Sequence, residues 1–382
     1  MRPGLVFFCL FFLFFESSMS IPMPSPFTRF LGHADQCNAL LQFASSLGIT
    51  TNIDSKYFCN IDGANITSYP KTASWRKGTD CCTWDGIMCD YVTGDVIVVD
   101  LTCSCLRGTL RPNSTLFMLS NVRTLYLRGG KLPRFLANCS KLKTLDLSNN
   151  ELQDSFPSWL EALPSLYILV LRSNKFHGPV NTSGSPQPFS KLQIFDLSNN
   201  NFHGAFPTQY VASFKGMRGG DEKRGNFVDR VLDNQIFDTA SVIGKGVMLE
   251  LIKIQKAFSV IDLSCNHFQG KIPDVIGDLK LLTGLNFSQN NLTGPIPYSF
   301  GNLTNLEWLD LSLNNLSGEI PGSLADLTSL AYLNLSMNRL MGPIPKGKQF
   351  NTFKSDSFGG NPGLYYMPLN LPFPLLELTK RP

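Results

Sequence analysis

The chain has 382 residues, enough for one long domain or two or three compact ones. Only 16% of residues are charged and the formal net charge is +4, which excludes the concentrated basic face that nucleic-acid binding needs. Gly and Pro are moderate in number, with 31 and 24 residues, and no low-complexity tract is present.

The N-terminus reads as a signal peptide over residues 1–20. Arg2 supplies the positive n-region, Leu5 to Phe15 is an unbroken apolar run, and Ser17, Ser18 and Ser20 supply a small-residue cleavage region. The run is too short to span a bilayer. The mature chain is therefore expected in an oxidising, extracellular compartment. Beyond Cys9, the cysteines cluster early, at Cys37, Cys59, Cys81, Cys82, Cys89, Cys103, Cys105 and Cys139, with Cys265 far downstream. Such clustering predicts a local disulfide framework, and the odd number leaves at least one thiol outside it or paired between chains.

Residues 96–101, VIVVDL, alternate as a first capping strand would. A short repeat starts near Val122. Seven further segments then begin at Leu142, Leu166, Leu192, Phe258, Leu282, Leu306 and Leu330, each reading LxxLxLxxNxL or a close variant. Fixed spacing of this kind marks a repeat architecture. In the LxL core the two leucines share one face of a short strand, and the residue between them faces the other way. One repeat cannot bury its leucines alone, so the repeats must stack into a parallel sheet with a common core. Each recurring Asn, from Asn150 through Asn338, stands where the chain leaves the strand and is expected to bond the turn backbone. The predicted fold is an α/β-type leucine-rich-repeat solenoid: a right-handed superhelix with a parallel β-sheet on the concave face, 3-10 and irregular structure on the convex face, and a disulfide-bonded N-terminal cap.

The flanks carry a closer resemblance. CNALLQFASSLG at 37–48, DCCTWDGIMC at 80–89 and TGDVIVVDLTCSCLRGTL at 93–110 look like the N-terminal cap of plant leucine-rich-repeat receptor-like proteins, in particular the tomato leaf-mould resistance type. The resemblance implies the pairs Cys37–Cys81 and Cys82–Cys89, with Trp84 packing the cap on the first repeat. The 66-residue step between Leu192 and Phe258 holds about 42 residues more than a repeat. The resemblance identifies 208–257 as the island of these receptors, placed four repeats before the C-terminal cap. Lys245 and Gly246 match the island motif, while Ile236 stands where the family has Tyr. KGKQFNTFKSDSFGGNPGL at 346–364 resembles the start of the C-terminal cap, but Tyr365, Tyr366 and Met367 replace the family's cysteine-bearing continuation and transmembrane helix. Leu369 to Leu378 is too short and too proline-broken to cross a membrane.

These readings divide the chain into the signal peptide (1–20), the N-terminal cap with its first strand (21–110), a first block of about four repeats (111–207), the island (208–257), a second block of four repeats (258–353), and an incomplete cap with a divergent tail (354–382).

Outward strand positions nominate ligand contacts. Tyr126, Arg128, Ile168, Val170 and Arg172 form one candidate patch, and Trp308 with Tyr332 forms another. Nine Asn-x-Ser/Thr sequons, at Asn65, Asn113, Asn138, Asn181, Asn286, Asn291, Asn302, Asn315 and Asn334, suit a secreted glycoprotein. Asn286 and Asn334 lie on the concave strands, so sugar there would push the binding groove toward earlier repeats or the lateral edge. His177 and His203 share a column but lack further metal ligands, and no cofactor is expected. No phosphate loop or kinase signature occurs, so the chain is read as a non-enzyme. The expected function is recognition of an extracellular protein or peptide, signalled through a leucine-rich-repeat receptor kinase. A soluble inhibitor of a pathogen cell-wall hydrolase, resembling the polygalacturonase-inhibiting proteins, or a decoy, is the alternative. The expected location is the apoplast, or the plasma membrane as a single-pass protein if the chain is part of a longer receptor.

Overall fold

The computed structural model describes mainly residues 33–46, 71–101, 121–126, 139–149, 152–219, 258–347 and 349–366, with short segments between them. The calls on the signal peptide, Cys103, Cys105, Arg128, Lys245 and Gly246, and on the sequons Asn113 and Asn138, lie outside the described residues, as do the side chains of Cys59, Asn65 and Tyr126.

The LxL segments form the concave sheet. Its strands are β1 (Ile87–Cys89), β2 (Val96–Asp100), β3 (Thr124–Tyr126), β4 (Thr144–Asp146) and β5 (Ile168–Val170). They continue as β7 (Ile194–Asp196), β9 (Val260–Asp262), β11 (Gly284–Asn286), β13 (Trp308–Asp310) and β15 (Tyr332–Asn334). These ten stand in chain order, parallel except for the β1–β2 hairpin of the cap. A second sheet follows the asparagine turns: β6 (His177–Gly178), β8 (Asn201–Ala205), β10 (His267–Lys271), β12 (Asn291–Gly294), β14 (Asn315–Gly318), β16 (Arg339–Pro343), β17 (Gly363–Tyr366) and β18 (Leu371–Pro372). Short 3-10 turns such as Ser158–Ala162, Asp274–Asp278, Tyr298–Asn302 and Gly322–Asp326 close the convex side.

Inward leucines make one continuous core from Leu40 in the cap to Leu364, and Leu145, Leu169, Leu285 and Leu309 are fully buried. Each Leu so buried contributes roughly 1.5–3 kcal/mol. The turn asparagines supply the polar counterpart. The Asn290 amide donates to the carbonyls of Leu263, Phe287 and Ser288 at 3.0–3.2 Å, and its oxygen accepts from Phe268 N at 2.9 Å. Asn174, Asn200, Asn266, Asn314 and Asn338 repeat the pattern. Turn groups that water cannot reach are thereby paired.

The cap closes the N-terminal end. Cys37 pairs with Cys81 and Cys82 with Cys89. Trp84 is buried and stacks on Trp75 with ring centres 5.6 Å apart, and its Nε1 donates to Thr79 Oγ1 at 2.7 Å. The free thiols among the described residues are Cys139, which is buried, and Cys265, which is half-buried.

Two boundaries differ from the sequence reading. Residues 208–218 are not part of an insertion. They form helices α1 (Thr208–Ser213) and α2 (Lys215–Arg218), whose Tyr210, Val211, Phe214 and Met217 are fully buried in the common core. Leu281 N donates to Met217 O at 2.9 Å, so these helices occupy the convex segment of their repeat and touch the next one. Strands β7 and β9 pair directly, Ile194 against Val260, so the insertion leaves the stack unbroken. At the other end, Asn361 takes the turn-asparagine role, donating to Leu335 O and Phe358 O and accepting from Leu340 N. The solenoid therefore runs one step into the segment expected as an incomplete cap.

Candidate binding face

The concave strands aim their first and third residues away from the leucine core, and the residue two positions further on continues the alternation, so three columns of side chains run along this face. The first column carries Thr124, Thr144, Ile168, Ile194, Val260, Gly284, Trp308 and Tyr332. Ile168, Val170 and Ile194 are fully buried, and they form an apolar cluster of their own with Tyr167 and Phe258 against it. Trp308 is only 2% exposed. Its ring lies across Gly284, where a Cβ would stand 1.9 Å from Cζ2, and packs beside Phe258 with ring centres 5.8 Å apart. Arg172 is also 2% exposed and pairs with Asp196 at 3.3 Å. Tyr332 is half-buried, its hydroxyl donating to Asp310 Oδ2 at 3.3 Å.

This corrects the expectation of two freely exposed patches. Ile168, Val170, Arg172 and Trp308 are enclosed by packing that strand alternation does not reveal, and Tyr332 is partly so. Period-two spacing gives direction, not exposure.

The second column is largely acidic: Asp146 and Asp196 flank Val170, Asp262 follows directly on Asp196, and Asn286, Asp310 and Asn334 continue the row. Each Asp or Asn accepts from the serine two residues on; Asp262 Oδ1 takes Ser264 N at 2.9 Å and Ser264 Oγ at 2.6 Å. Asn286 Nδ2 donates to Asp262 Oδ2 at 3.2 Å, and Asn334 Nδ2 to Asp310 Oδ2 at 3.3 Å. The two concave sequons are thus engaged in the carboxylate ladder, whereas Asn181, Asn291 and Asn302 stand exposed. Among the described residues of this ladder Arg172 is the paired cation, and it serves Asp196. Burial raises the Asp146 carboxyl above the usual range, and burial raises Asp196 against the pull of Arg172. Asp262 is pushed up to about 7, first by burial and then by the neighbouring Asp196. Carboxylates this close, away from water, favour sharing a proton. Trp308 Nε1, Thr124 Oγ1 and Thr144 Oγ1 are buried on this side without a hydrogen-bond partner.

A different surface follows the asparagine turns. An open cavity of about 590 Å³ is lined by Gln153, Asn174, Lys175, His177, Asn199, Asn200, Asn201 and His203. The sequence gives the His177–His203 column; it does not show that a cavity forms there, because that depends on how three repeats stack.

Among the described residues no helix is long and apolar enough to cross a membrane. The leucine rich repeat family signature matches residues 120–176, 257–316 and 296–340, with a further leucine rich repeat match at 191–210. The leucine rich repeat N-terminal domain matches 33–56 and 63–90. Receptor-like protein 9DC1 of Solanum pimpinellifolium is 45% identical over 149 residues, 38% of this chain and 14% of that protein. Receptor-like protein 6 of Arabidopsis thaliana is 43% identical over 158 residues, 40% of this chain and 16% of that protein. The matched stretch is therefore a small part of these relatives' length. Among solved structures, a plant ice-binding protein aligns with a TM-score of 0.56 over 87% of this chain and 96% of its own at 22% identity, a likeness of fold alone. The stacked repeats and the paired cap cysteines make a leucine-rich-repeat solenoid with an N-terminal cap, as the family matches describe, and over 38–40% of its length the chain is similar to plant receptor-like proteins.

Proposed function

We propose that this chain is the ligand-recognising part of an extracellular receptor-like protein that acts in plant defence or development through a partner receptor kinase. The observation that carries this reading is the concave face. The solenoid is held by its inward core and turn asparagines, yet the concave columns also present the half-buried Asn286, Asp310, Tyr332 and Asn334, which stacking does not require. An aromatic anchor such as Tyr332 beside fixed polar and charged groups is what a protein or peptide partner engages. The similarity to receptor-like proteins supports the same reading. The chain's role is binding rather than catalysis, and its compartment is extracellular.

The test is expression of the full chain with its leader in leaf tissue. Recovery in apoplastic fluid or at the plasma membrane is expected, with a mobility shift on enzymatic removal of N-glycans. Co-precipitation with a leucine-rich-repeat receptor kinase is expected to weaken in the double variant Tyr332→Ala/Asp310→Asn, both side chains being half-buried on the concave face. Failure to bind any kinase, together with inhibition of a fungal polygalacturonase, would replace this reading with the soluble-inhibitor one.

A further inference from the structure

Two histidines that are far apart in the sequence meet across the long insertion. His203 stands on β8, before the insertion, and His267 on β10, after it. These strands are parallel neighbours, and their register sets His203 directly against His267. The backbone beneath them is fixed. Phe202 and Phe268, each next to its histidine in the chain, are buried and stack at 6.3 Å between ring centres. Phe202 N donates to Asn266 Oδ1 at 3.0 Å, and Phe268 N to Asn290 Oδ1 at 2.9 Å. Alternation then turns both imidazoles to the outer surface, where both side chains are exposed.

This arrangement suits a shared ion. Directly opposed residues on neighbouring strands lie about 4.8 Å apart. Two nitrogens bound to one ion, each at about 2.0–2.1 Å, stand about 3–4 Å from each other. Exposed rings on opposed positions reach that spacing by turning about their side-chain bonds, with no movement of the backbone. A neutral imidazole offers one unprotonated nitrogen, and imidazole suits copper, nickel and zinc rather than magnesium or calcium. His177 is out of line, because on β6 it is opposed to Asn201 instead of His203. The cluster of Asp80, Cys81 and Cys82 has both of its sulfurs tied up in the cap disulfides.

We infer that His203 and His267 form a surface site for one divalent transition-metal ion, with water completing its coordination. The bound ion joins β8 to β10 and so bridges the strands on either side of the insertion. The site lies on the opposite sheet from the concave columns and does not depend on the receptor reading.

The purified full chain, free of any affinity tag, is titrated calorimetrically at fixed pH with Cu²⁺, Ni²⁺, Zn²⁺ and Mg²⁺. One ion per chain is expected for the first three, Cu²⁺ binding tightest, and no binding for Mg²⁺. His203→Ala and His267→Ala are each expected to weaken Ni²⁺ binding at least about tenfold, the loss of one of two ligands. His177→Ala and Cys265→Ser are expected to leave it unchanged. The spin-resonance spectrum of bound Cu²⁺ is expected to show two imidazole nitrogens in the wild type and one in either ligand variant. Saturating Ni²⁺ is expected to raise the melting temperature of the wild type, because only the folded chain brings the two rings together, and not that of His203→Ala/His267→Ala. Both side chains are exposed, so without metal these variants are expected to melt with the wild type. Absence of Ni²⁺ binding, wild-type affinity in either ligand variant, or an equal loss in His177→Ala or Cys265→Ser would overturn the inference.

Discussion

Two kinds of residue decide this protein's behaviour one side chain at a time. Asp262 is a buried acid beside another, and its carboxyl is held up to about 7. The folded chain therefore binds this proton more tightly than the unfolded chain, whose carboxyl titrates near about 4. Stability from this group is fully present below that lower value and is lost as pH rises through about 7, at a slope of at most about 1.4 kcal/mol per pH unit. A melting temperature measured from pH 4.5 to pH 8 is expected to decline across that window, and Asp262→Asn is expected to flatten the decline. A variant with the wild-type slope would remove Asp262 from the account. Turn asparagines work differently. Asn290 makes three donor contacts and one acceptor contact, all buried. Asn290→Ala leaves those carbonyls and that amide unpaired, at about 1–3 kcal/mol for each group that water cannot reach. Chemical denaturation is expected to show a midpoint well below wild type, with a smaller drop for the exposed Asn291→Ala.

At the scale of the element, the convex 3-10 turns stack more closely than side chains allow. A Cβ at Gly277 would stand 2.3 Å from Ser299 O, while at Gly322 it would meet nothing within 4 Å. Gly277→Ala is expected to destabilise by about 1–3 kcal/mol through overpacking, whereas Gly322→Ala is expected to be neutral or slightly stabilising. Thermal melts of the two variants side by side decide this, and equal melts would show that the turns relax freely. The cap behaves as a stapled element. The Cys37–Cys81 bridge spans 44 residues and the Cys82–Cys89 bridge spans 7. Loop-closure entropy then assigns about 4 kcal/mol to the first and about 2 kcal/mol to the second. Replacing each pair by serines is expected to cost more at the first pair, read as protease sensitivity of the cap; the reverse order would mean that native contacts outweigh chain entropy.

For the whole molecule, stability is passed from repeat to repeat, because each one buries its leucines against its neighbours. Two features keep that transfer unbroken. Strands β7 and β9 pair directly across the long insertion, and Leu281 N bonds Met217 O on the convex side. Asn361 extends the asparagine series past the last full repeat. Replacing residues 221–256 by a short Gly-Ser linker is accordingly expected to leave the melting temperature within a few degrees of wild type, since each doubling of loop length costs only about 0.6 kcal/mol. A collapse of the second repeat block in that variant, seen by hydrogen exchange, would place the coupling within the insertion.

The sequence by itself determined the repeat, the inward leucines and the turn asparagines, while the pairing of the cap cysteines came from the resemblance to receptor-like proteins. Those first three are local patterns fixed by strand alternation and spacing. It placed Ile168, Val170 and Trp308 on the correct side of their strands for the same reason. It did not show that they are buried, because burial depends on which neighbours lie over them, and Trp308 needs the bare backbone of Gly284 one repeat away. Nor did it separate 208–218 from the insertion, since those residues carry no leucine motif and join the core only through packing. The raised carboxyl of Asp262 and the polar groove at His177 and His203 also depend on the tertiary structure, because charges and surfaces from different repeats meet only when the repeats stack.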